Sequence, residues 1–242
     1  MNAIQIQGLT KTYKQVVAVD HLDLTVAQGE LFALLGVNGA GKTTLIKMLS
    51  CLTRPTEGDA LLLGHSIRTQ AASVKPLIAV SPQETAVAPG LTALENLQLI
   101  CGVHGFSREK AATKIEELTK RLQLESILSR PAGKLSGGWQ RKLSIAMALV
   151  SEPQILFLDE PTLGLDVIAR SDLWDLIRSL KGTVTILLTT HYMEEAEALS
   201  DRIAIMKDGK LLLCDTPENI KQQTQTGTIE QAFIKIIKGV AS

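Results

Sequence analysis

Short, nearly continuous apolar runs recur along the chain and predict strands that are buried on both faces. The four runs are LFALLG at 31–36, LIAV at 77–80, ILFLDE at 155–160 and VTILLTT at 184–190. Two other segments, IQIQ at 4–7 and LDLTV at 22–26, alternate apolar and polar residues instead. That alternation is typical of half-exposed antiparallel strands, so the sequence predicts two kinds of strand.

Helical spacing of apolar residues lies between these runs. KTTLIKMLSCL at 42–52 follows a glycine, and DVIARSDLWDLIRSLKG at 166–182 ends at a glycine suited to a helix C-cap. Residues 87–150 contain no comparable run, and Ser107 can cap a helix there. The apolar face of that helix is Ala111, Ile115, Leu118 and Leu122. The alternation of strands and helices predicts an α/β body with a helical insertion.

The end of the chain predicts a hairpin followed by short helices. IAIMKDGKLLL at 203–213 places Asp208 and Gly209 between two apolar runs, which is a strong hairpin signal. We therefore predict one domain, 1–242, with three parts. They are a nucleotide-binding core that includes an antiparallel β subdomain (1–86 and 151–215), a helical subdomain (87–150) and a C-terminal helical extension (216–242).

The composition fits a globular protein and argues against nucleic acid as a partner. A chain of 242 residues with 45% hydrophobic content can bury one sizeable core. Lys plus Arg and Asp plus Glu both number 25, so the formal charge is zero and no basic stripe marks a nucleic-acid surface.

Cysteine usage and hydropathy predict the cellular setting. Cys51, Cys101 and Cys214 are odd in number and widely spaced, which favours reduced, buried thiols in a cytoplasmic protein. No apolar run reaches the roughly 18 residues that a bilayer crossing needs, and the N-terminus lacks the apolar core of a signal peptide. Any role at a membrane is therefore expected to depend on a partner.

GVNGAGKT at 36–43 fits the phosphate-loop pattern, and it lies between a predicted strand and a predicted helix, as that pattern requires. Its glycines let backbone N–H groups surround a β-phosphate, Lys42 reaches the β- and γ-phosphates, and Thr43 offers a hydroxyl to Mg²⁺. The alternative, a glycine-rich turn without a ligand, is disfavoured by the strand and helix on either side. The predicted ATP-binding residues of this loop are Gly36, Asn38, Gly39, Ala40, Gly41, Lys42, Thr43 and Thr44.

Two carboxylates end the predicted strand ILFLDE. Adjacent strand residues point to opposite faces, so Asp159 and Glu160 can serve different purposes. We hypothesise that Asp159 holds Mg²⁺, largely through water, and that Glu160 orients and deprotonates the attacking water. The alternative is a pair of helix-capping residues before Pro161.

A second phosphate-binding turn is predicted in KLSGGWQRKL at 134–143. Ser136 can cap the helix that follows, and Gly137 and Gly138 let an anion approach the backbone. Arg141 and Lys142 lie early in that helix, where its dipole disfavours cations unless an anion or acidic neighbour compensates. Two solvated surface charges remain the alternative interpretation of this pair.

Taken together, the ordered motifs resemble the ATPase subunits of ABC transporters. They are GVNGAGKTT, Gln83 after a strand, LSGGWQRKLSIAMALV, ILFLDEPTLGLD and His191 after a strand, and they cover nearly the whole chain. The resemblance implies an α/β P-loop NTPase (RecA-like) core with a parallel sheet, an antiparallel β subdomain and an inserted α-helical subdomain. It also implies a head-to-tail homodimer in which ATP on one phosphate loop is completed by the partner's signature turn, Ser136, Gly137 and Gly138.

Further roles are implied by the resemblance alone. Tyr13 matches the aromatic residue that stacks on adenine, and Gln83 matches the glutamine that senses Mg²⁺ and the γ-phosphate while contacting the permease. Asp166 matches the aspartate that crosses the dimer interface, and His191 matches the switch histidine. Without the resemblance, Tyr13 would be a packing residue and a lone histidine a capping or core residue. The implied catalytic set is Lys42, Gln83, Glu160 and His191, and the implied Mg²⁺ ligands are Thr43, Gln83 and Asp159.

Two positions depart from the family pattern. Trp139 stands where the signature has glutamine, and Val37 stands where the phosphate loop has proline. The valine costs some rigidity but removes no hydrogen-bond donor. Because the backbone and Ser136 make the main phosphate contacts, we expect retained activity, with Trp139 packed near the interface or against the helical insertion.

The sequence therefore predicts an ATPase subunit that dimerises on ATP and drives a separate permease from the inner face of the cell membrane. TTHYMEEAEALSDRIAIMKDGKLL at 189–212 resembles bacterial ABC export ATPases of the multidrug or polyketide-antibiotic type. One alternative is a soluble ABC protein acting on ribosomes or DNA, although such relatives carry two motif sets or a long coiled-coil insertion. Another is a nucleotide-binding regulator without turnover, which Glu160 disfavours.

Overall fold

Ten strands form two sheets in the computed structural model, which describes residues 1–239. The strands are β1 (Asn2–Tyr13), β2 (Val16–Ala27), β3 (Leu31–Gly36), β4 (Glu57–Leu62), β5 (His65–Ser66), β6 (Ile78–Ser81), β7 (Ile155–Asp159), β8 (Thr185–Thr190), β9 (Arg202–Lys207) and β10 (Lys210–Asp215). The helices are α1 (Lys42–Leu49), α2 (Ala71–Val74), α3 (Ala93–Val103), α4 (Arg108–Leu122), α5 (Gly137–Leu149), α6 (Val167–Leu180), α7 (Met193–Leu199), α8 (Pro217–Thr224) and α9 (Ile229–Lys238).

The larger sheet contains all four of the predicted buried strands. Its order is β10-β9-β3-β8-β7-β6, and every neighbouring pair is parallel except the β9–β10 hairpin. β3, β7 and β8 lie inside the sheet, and each of their residues is buried. The prediction of parallel strands covered on both faces is confirmed for β3, β7 and β8. β6 is parallel as predicted but begins one residue later, at Ile78, and lies at the sheet edge, where Ala79 and Val80 are only half-buried.

Alternate residues of the central strands supply two cores on opposite faces of this sheet. In β3, Leu31, Ala33 and Leu35 pack with α3–α9, whereas Phe32 and Leu34 pack with α1 and the smaller sheet. Successive side chains of a strand point to opposite faces, so one strand serves both cores. Burial of each large apolar side chain contributes about 1.5–3 kcal/mol to the stability of the fold. The two cores together therefore hold the larger sheet in place, including the edge at which its strands end and the connecting loops begin.

The smaller sheet packs on the second of these cores. Its order is β2-β1-β4-β5, and all of its pairs are antiparallel. The predicted segments IQIQ and LDLTV lie within β1 and β2, which are longer than predicted. Sequence analysis missed β4, because only Ala60 and Leu62 of that strand are buried and they give too short an alternation to recognise.

Residues 87–150 contribute α3, α4 and α5. Ser107 caps α4, as predicted, since its hydroxyl accepts a hydrogen bond from the Lys110 N–H (3.2 Å). Ile115, Leu118 and Leu122 of α4 are at most 6% exposed, which confirms the predicted apolar face. These side chains pack on the same core as one face of the larger sheet, so the helices are fixed to the sheet.

A tight turn at Asp208 and Gly209 joins β9 to β10 and confirms the predicted hairpin. Both residues have positive φ, 49° and 79°, as a two-residue turn of type I′ requires. The Gly209 N–H donates to the Ala40 carbonyl (3.1 Å), and the Gly209 carbonyl accepts a hydrogen bond from the Asp20 N–H (2.9 Å). The turn therefore rests against the phosphate loop.

The structure adds detail to two predicted helical regions, residues 166–182 and the C-terminal extension. α6 ends at Leu180, so Gly182 (φ 80°) lies one residue beyond the cap position, in the turn that leads to β8. The predicted C-terminal helices are α8 and α9, and residues 240–242 of that prediction lie outside the described residues.

The described residues also bear on the predicted setting. Within residues 1–239, no helix combines the length and the apolar character needed to cross a bilayer. The three cysteines are free thiols, as predicted, but only Cys101 is fully buried, and Cys51 and Cys214 are half-buried.

Candidate active site

The phosphate loop joins β3 to α1 at the carboxyl edge of the larger sheet. β3 ends at Gly36 and α1 begins at Lys42. Gly41 has φ 103°, and a Cβ on this residue would lie 2.3 Å from the carbonyl oxygen of Ala18. Only glycine fits there, so the glycine of the motif is required by both its conformation and its neighbour.

A cavity of about 410 Å³ lies beside this loop and brings together most of the predicted ATP-binding and catalytic residues. Ala18, which sequence analysis did not single out, adds part of the wall. Gly36 lies below the loop, where its carbonyl accepts a hydrogen bond from Lys42 Nζ (2.8 Å). The lining consists of Ala18, Asn38, Gly39, Ala40, Gly41, Lys42, Thr43, Thr44, Gln83, Glu160, Leu163 and His191.

Lys42 is buried at the wall of the cavity, and only 4% of its side chain is exposed. Its Nζ lies 3.5 Å from Glu160 Oε1. Burial lowers the pKa of the Lys42 ammonium, and the Glu160 carboxylate opposes that shift. A positive charge at this wall is suited to contact phosphate oxygens.

Thr43 and Asp159, two of the predicted magnesium ligands, are neighbours. Thr43 Oγ1 donates to Asp159 Oδ1 (3.3 Å). Hydroxyl and carboxylate oxygens suit Mg²⁺, which usually takes one or two protein ligands and completes its shell with water and phosphate. No group of three or more His, Cys, Asp or Glu side chains in residues 1–239 could hold a metal. A magnesium ion here would therefore depend on nucleotide oxygens as well.

Glu160 follows β7 in a left-handed conformation, φ 47°, that few non-glycine residues adopt. The residue is 8% exposed, and its Oε2 lies 3.1 Å from His191 Nδ1. The next helix begins at Val167 rather than at Pro161, so the interpretation of Asp159 and Glu160 as helix caps is wrong. The physical reason is that a turn, not a helix, follows β7.

The second predicted phosphate-binding turn lies outside this cavity. Ser136 is the N-cap residue of α5, yet its side chain makes no capping hydrogen bond, and Ser136 and Gly137 are exposed. Gly138 is buried, and a Cβ on it would lie 2.9 Å from the Ala169 Cβ. An exposed helix N-terminus of this kind is suited to bind an anion.

Arg141 and Lys142 are not the solvated charges that one interpretation predicted. Arg141 is 4% exposed, and its guanidinium donates to the carbonyl oxygens of Pro82 and Gln83. Lys142 Nζ lies 4.9 Å from the centroid of the Trp139 ring. Trp139 packs on the core that contains the helical insertion, as expected.

Tyr13 and Asp166 also lie outside the lining of the cavity. Tyr13 ends β1, is 44% exposed and lies under Lys11 Nζ, 4.8 Å from its ring centroid. Asp166 caps α6, since its carboxylate accepts hydrogen bonds from the N–H groups of Ile168 and Ala169 (2.9 Å each). Their roles towards adenine and the dimer partner stay predictions.

Sequence analysis missed two fully buried side chains beside the site. Thr189 donates to Asp159 Oδ1 (2.5 Å) and accepts from the Glu160 N–H (3.0 Å). Glu195 accepts a hydrogen bond from Trp174 Nε1 (3.1 Å), and burial raises the pKa of the Glu195 carboxyl. A threonine in a strand and a glutamate in a helix are both common, so neither residue stands out in the sequence.

Comparison with known proteins identifies the family. Residues 19–163 match the ABC transporter family. The chain belongs to this family. This ABC transporter ATPase is 40% identical over 223 residues to a daunorubicin resistance ATP-binding protein of Streptomyces coeruleorubidus, a match that covers 92% of the chain and 71% of that protein.

Solved structures agree with the family and the fold. The present chain is similar to a solved structure of an ATP-binding subunit of an ABC transporter, with a TM-score of 0.85 and 27% sequence identity. The match covers 97% of the present chain and 99% of the solved one. A dimeric ATP-binding cassette in a post-hydrolysis state, bound to ADP and phosphate, gives a TM-score of 0.78 and 27% identity over 88% and 98%. The predicted P-loop NTPase fold and the predicted ATPase subunit are confirmed.

Proposed function

We propose that this ABC transporter ATPase hydrolyses Mg²⁺-bound ATP in the cavity between the phosphate loop, Glu160 and His191. The observation that carries the proposal is the convergence of side chains from α1, the end of β7 and the end of β8. Lys42, the neighbouring pair Asp159 and Glu160, and His191 come from three distant parts of the sequence. Each of these residues nevertheless lies within ion-pair or hydrogen-bond reach of another residue of the site.

Substrate binding is assigned to the loop and its lysine. Backbone N–H groups of residues 38–44 and the Lys42 ammonium contact the β- and γ-phosphates. Thr43 and Asp159 would hold the magnesium ion, with Gln83, an exposed residue of the cavity lining, beside them. When bound, the ion neutralises charge on the phosphate oxygens.

Glu160 is assigned as the base that takes a proton from the attacking water. Its carboxylate is buried and held between Lys42 Nζ (3.5 Å) and His191 Nδ1 (3.1 Å), which fixes its orientation. From that position Glu160 accepts a proton from the attacking water. As the water oxygen bonds to the γ-phosphorus, the bond from that phosphorus to the β,γ-bridging oxygen breaks, and ADP and phosphate are the products. His191, hydrogen-bonded to the base and lining the same cavity, contacts the γ-phosphate and reports its loss.

A second copy of the chain is assigned to complete each site. Ser136 and the α5 N-terminus are exposed and lie outside the subunit's own cavity, which supports a phosphate from the partner's ATP as their ligand. Tyr13 is assigned to adenine and Asp166 to the interface. The solved dimeric relative with ADP and phosphate supports a nucleotide-dependent dimer.

ATP hydrolysis by this chain is assigned to drive transport through an integral membrane permease. The direction of that transport is assigned as export. A relative at 40% identity is a daunorubicin resistance ATP-binding protein, which supports a drug-export system. On this proposal the chain docks peripherally on the inner face of the membrane through the permease.

Ser136→Arg tests the head-to-tail dimer. With a non-hydrolysable ATP analogue and Mg²⁺, the native chain should elute as a dimer in size-exclusion chromatography. Ser136→Arg should bind the analogue through its own phosphate loop yet remain a monomer. Ser107→Arg is the matched control, because Ser107 is also an exposed helix N-cap but lies on α4. Normal dimerisation of Ser136→Arg would show that the signature turn does not complete the partner's site.

Copurification tests the partner. The tagged chain should be recovered from detergent-solubilised membranes together with an integral membrane protein. Recovery with ribosomes or DNA instead would contradict the transport proposal and favour a soluble ABC ATPase.

A further inference from the structure

Thr189 lies next to both carboxylates of the site, on the strand beside the one that carries Asp159. β7 and β8 are parallel neighbours, and their register sets Asp159 directly opposite Thr189. The Thr189 side chain is fully buried, so its hydroxyl interacts only with protein groups. Those groups are the carboxylate of Asp159 and the backbone of Glu160.

We propose that Thr189 is a positioning residue, which holds the magnesium-binding carboxylate and the proposed base in fixed relation to each other. The inference rests on the roles assigned above to Asp159 and Glu160. Thr189 itself touches neither phosphate nor water in this scheme. It acts through the two residues that do.

The chemistry of the groups fixes the direction of both hydrogen bonds. An ionised carboxylate only accepts hydrogen bonds, and a backbone N–H only donates. The single proton of the Thr189 hydroxyl therefore goes to Asp159 Oδ1 (2.5 Å), and its lone pair receives the Glu160 N–H (3.0 Å). One hydroxyl thus uses its donor on one catalytic residue and its acceptor on the other.

Two threonine hydroxyls contact the Asp159 carboxylate, and the difference in distance gives them different roles. Thr43 Oγ1 reaches the same oxygen, Oδ1, at 3.3 Å, which is a much longer contact than that of Thr189. Thr43 can therefore turn its hydroxyl towards a metal ion while Thr189 keeps the carboxylate in place. Outer-shell hydrogen bonds of this kind fix the orientation of a metal ligand.

The bond from Glu160 holds an unusual backbone conformation. Glu160 has φ 47°, and its N–H is shared between the Thr189 hydroxyl and the Thr189 carbonyl oxygen (3.1 Å). A left-handed residue persists only where its surroundings hold it. That conformation brings the Glu160 side chain to Lys42 and His191, so Thr189 sets where the base points.

The same strand offers a matched control in Thr185. Thr185 is 2% exposed, lies on the same face of β8 at its other end, and accepts a hydrogen bond from the Gly29 N–H (3.0 Å). Thr185→Val and Thr189→Val make the same chemical change in the same buried strand. Only the second change touches the site.

The experiment compares Thr189→Val, Thr189→Ser and Thr185→Val for steady-state hydrolysis, for the Mg²⁺ concentration at half-maximal rate, and for binding of fluorescent ATP with and without Mg²⁺. Thr189→Val should lower kcat and raise the Mg²⁺ requirement, each by about tenfold or more. It should bind ATP in EDTA like the native chain and should lose much of the tightening of ATP binding that Mg²⁺ causes. Thr189→Ser should recover most of the loss, and Thr185→Val should behave as native.

Three outcomes would overturn the proposal: unchanged kcat and Mg²⁺ dependence in Thr189→Val, equal losses in Thr185→Val, or a serine variant as impaired as the valine variant. If Thr189→Val fails to fold, Thr189→Cys gives the same comparison, since a thiol fills the space but donates weakly. Failure of the proposed function is distinguishable, because the native chain would then show no Mg²⁺-dependent turnover.

Discussion

Replacing Glu160 by glutamine tests the proposed base directly. The amide keeps the size of the side chain and can still hydrogen-bond to His191, 3.1 Å away, but it cannot take a proton from water. Positioned general bases contribute about 100- to 10,000-fold to turnover, so kcat should fall by at least about 100-fold.

The same substitution should tighten the binding of ATP. Glu160 Oε1 lies 3.5 Å from Lys42 Nζ, and at an effective dielectric constant of about 20 this pair attracts by about 5 kcal/mol before desolvation is counted. A phosphate in the cavity competes with Glu160 for the ammonium and is repelled by the carboxylate. Removing that charge should lower the Kd of Mg²⁺-ATP by about tenfold, which is about 1.4 kcal/mol.

Phosphate release at saturating ATP measures kcat, and titration with fluorescent ATP measures Kd. Glu194→Gln is the matched control, because it makes the same change on α7 in a side chain that is 80% exposed. If Glu160→Gln keeps more than about a tenth of native turnover, Glu160 is not the base. Weaker ATP binding by the variant would contradict the electrostatic part alone.

Three further substitutions test other parts of the structure. Gly41→Ala should abolish ATP binding in an equilibrium titration, since its methyl group would meet the Ala18 carbonyl at 2.3 Å; near-native affinity would contradict the loop geometry. Arg141→Met should lower the free energy of unfolding by about 2–4 kcal/mol in urea, because two carbonyls of the Gln83 loop lose a charged donor; an unchanged midpoint would contradict this. Glu195→Gln should alter the pH dependence of stability. Burial raises the folded-state pKa of Glu195 above its usual 4.5, so its contribution is full below pH 4.5 and is lost as pH rises through the raised pKa. The difference in melting temperature between the variant and the native chain should therefore shift in favour of the variant as the pH rises above 4.5. A difference that does not change with pH would argue against an ionising Glu195.

The sequence predicted those parts of the site that depend on local spacing. The phosphate loop, the carboxylates after β7 and the histidine after β8 each follow a recognisable apolar run. The carboxyl ends of parallel strands meet at one edge, so their convergence follows from the fold. Gly41 shows the same logic at the level of one residue, since its conformation and its motif position agree.

Residues whose role depends on distant contacts could not be predicted. Arg141 has the helix position of a surface charge, and it is buried only because the loop at Pro82 and Gln83 folds over it. Thr189 is hydrogen-bonded to residues at the end of the neighbouring strand. Neither strand's sequence by itself determines the pairing register of β7 with β8, so these contacts could not be predicted. The sequence pattern of α7 indicates neither the burial of Glu195 nor its hydrogen bond with Trp174.

The turn at Asp208 and Gly209 has a consequence for biosynthesis. Its backbone hydrogen bonds to Ala40 and Asp20 support the phosphate loop from a segment that lies far downstream of the loop in the sequence. A nascent polypeptide that has exposed only its first half therefore carries the motif without the support that shapes it. Capture of nucleotide should begin only once the β9–β10 hairpin has left the exit tunnel.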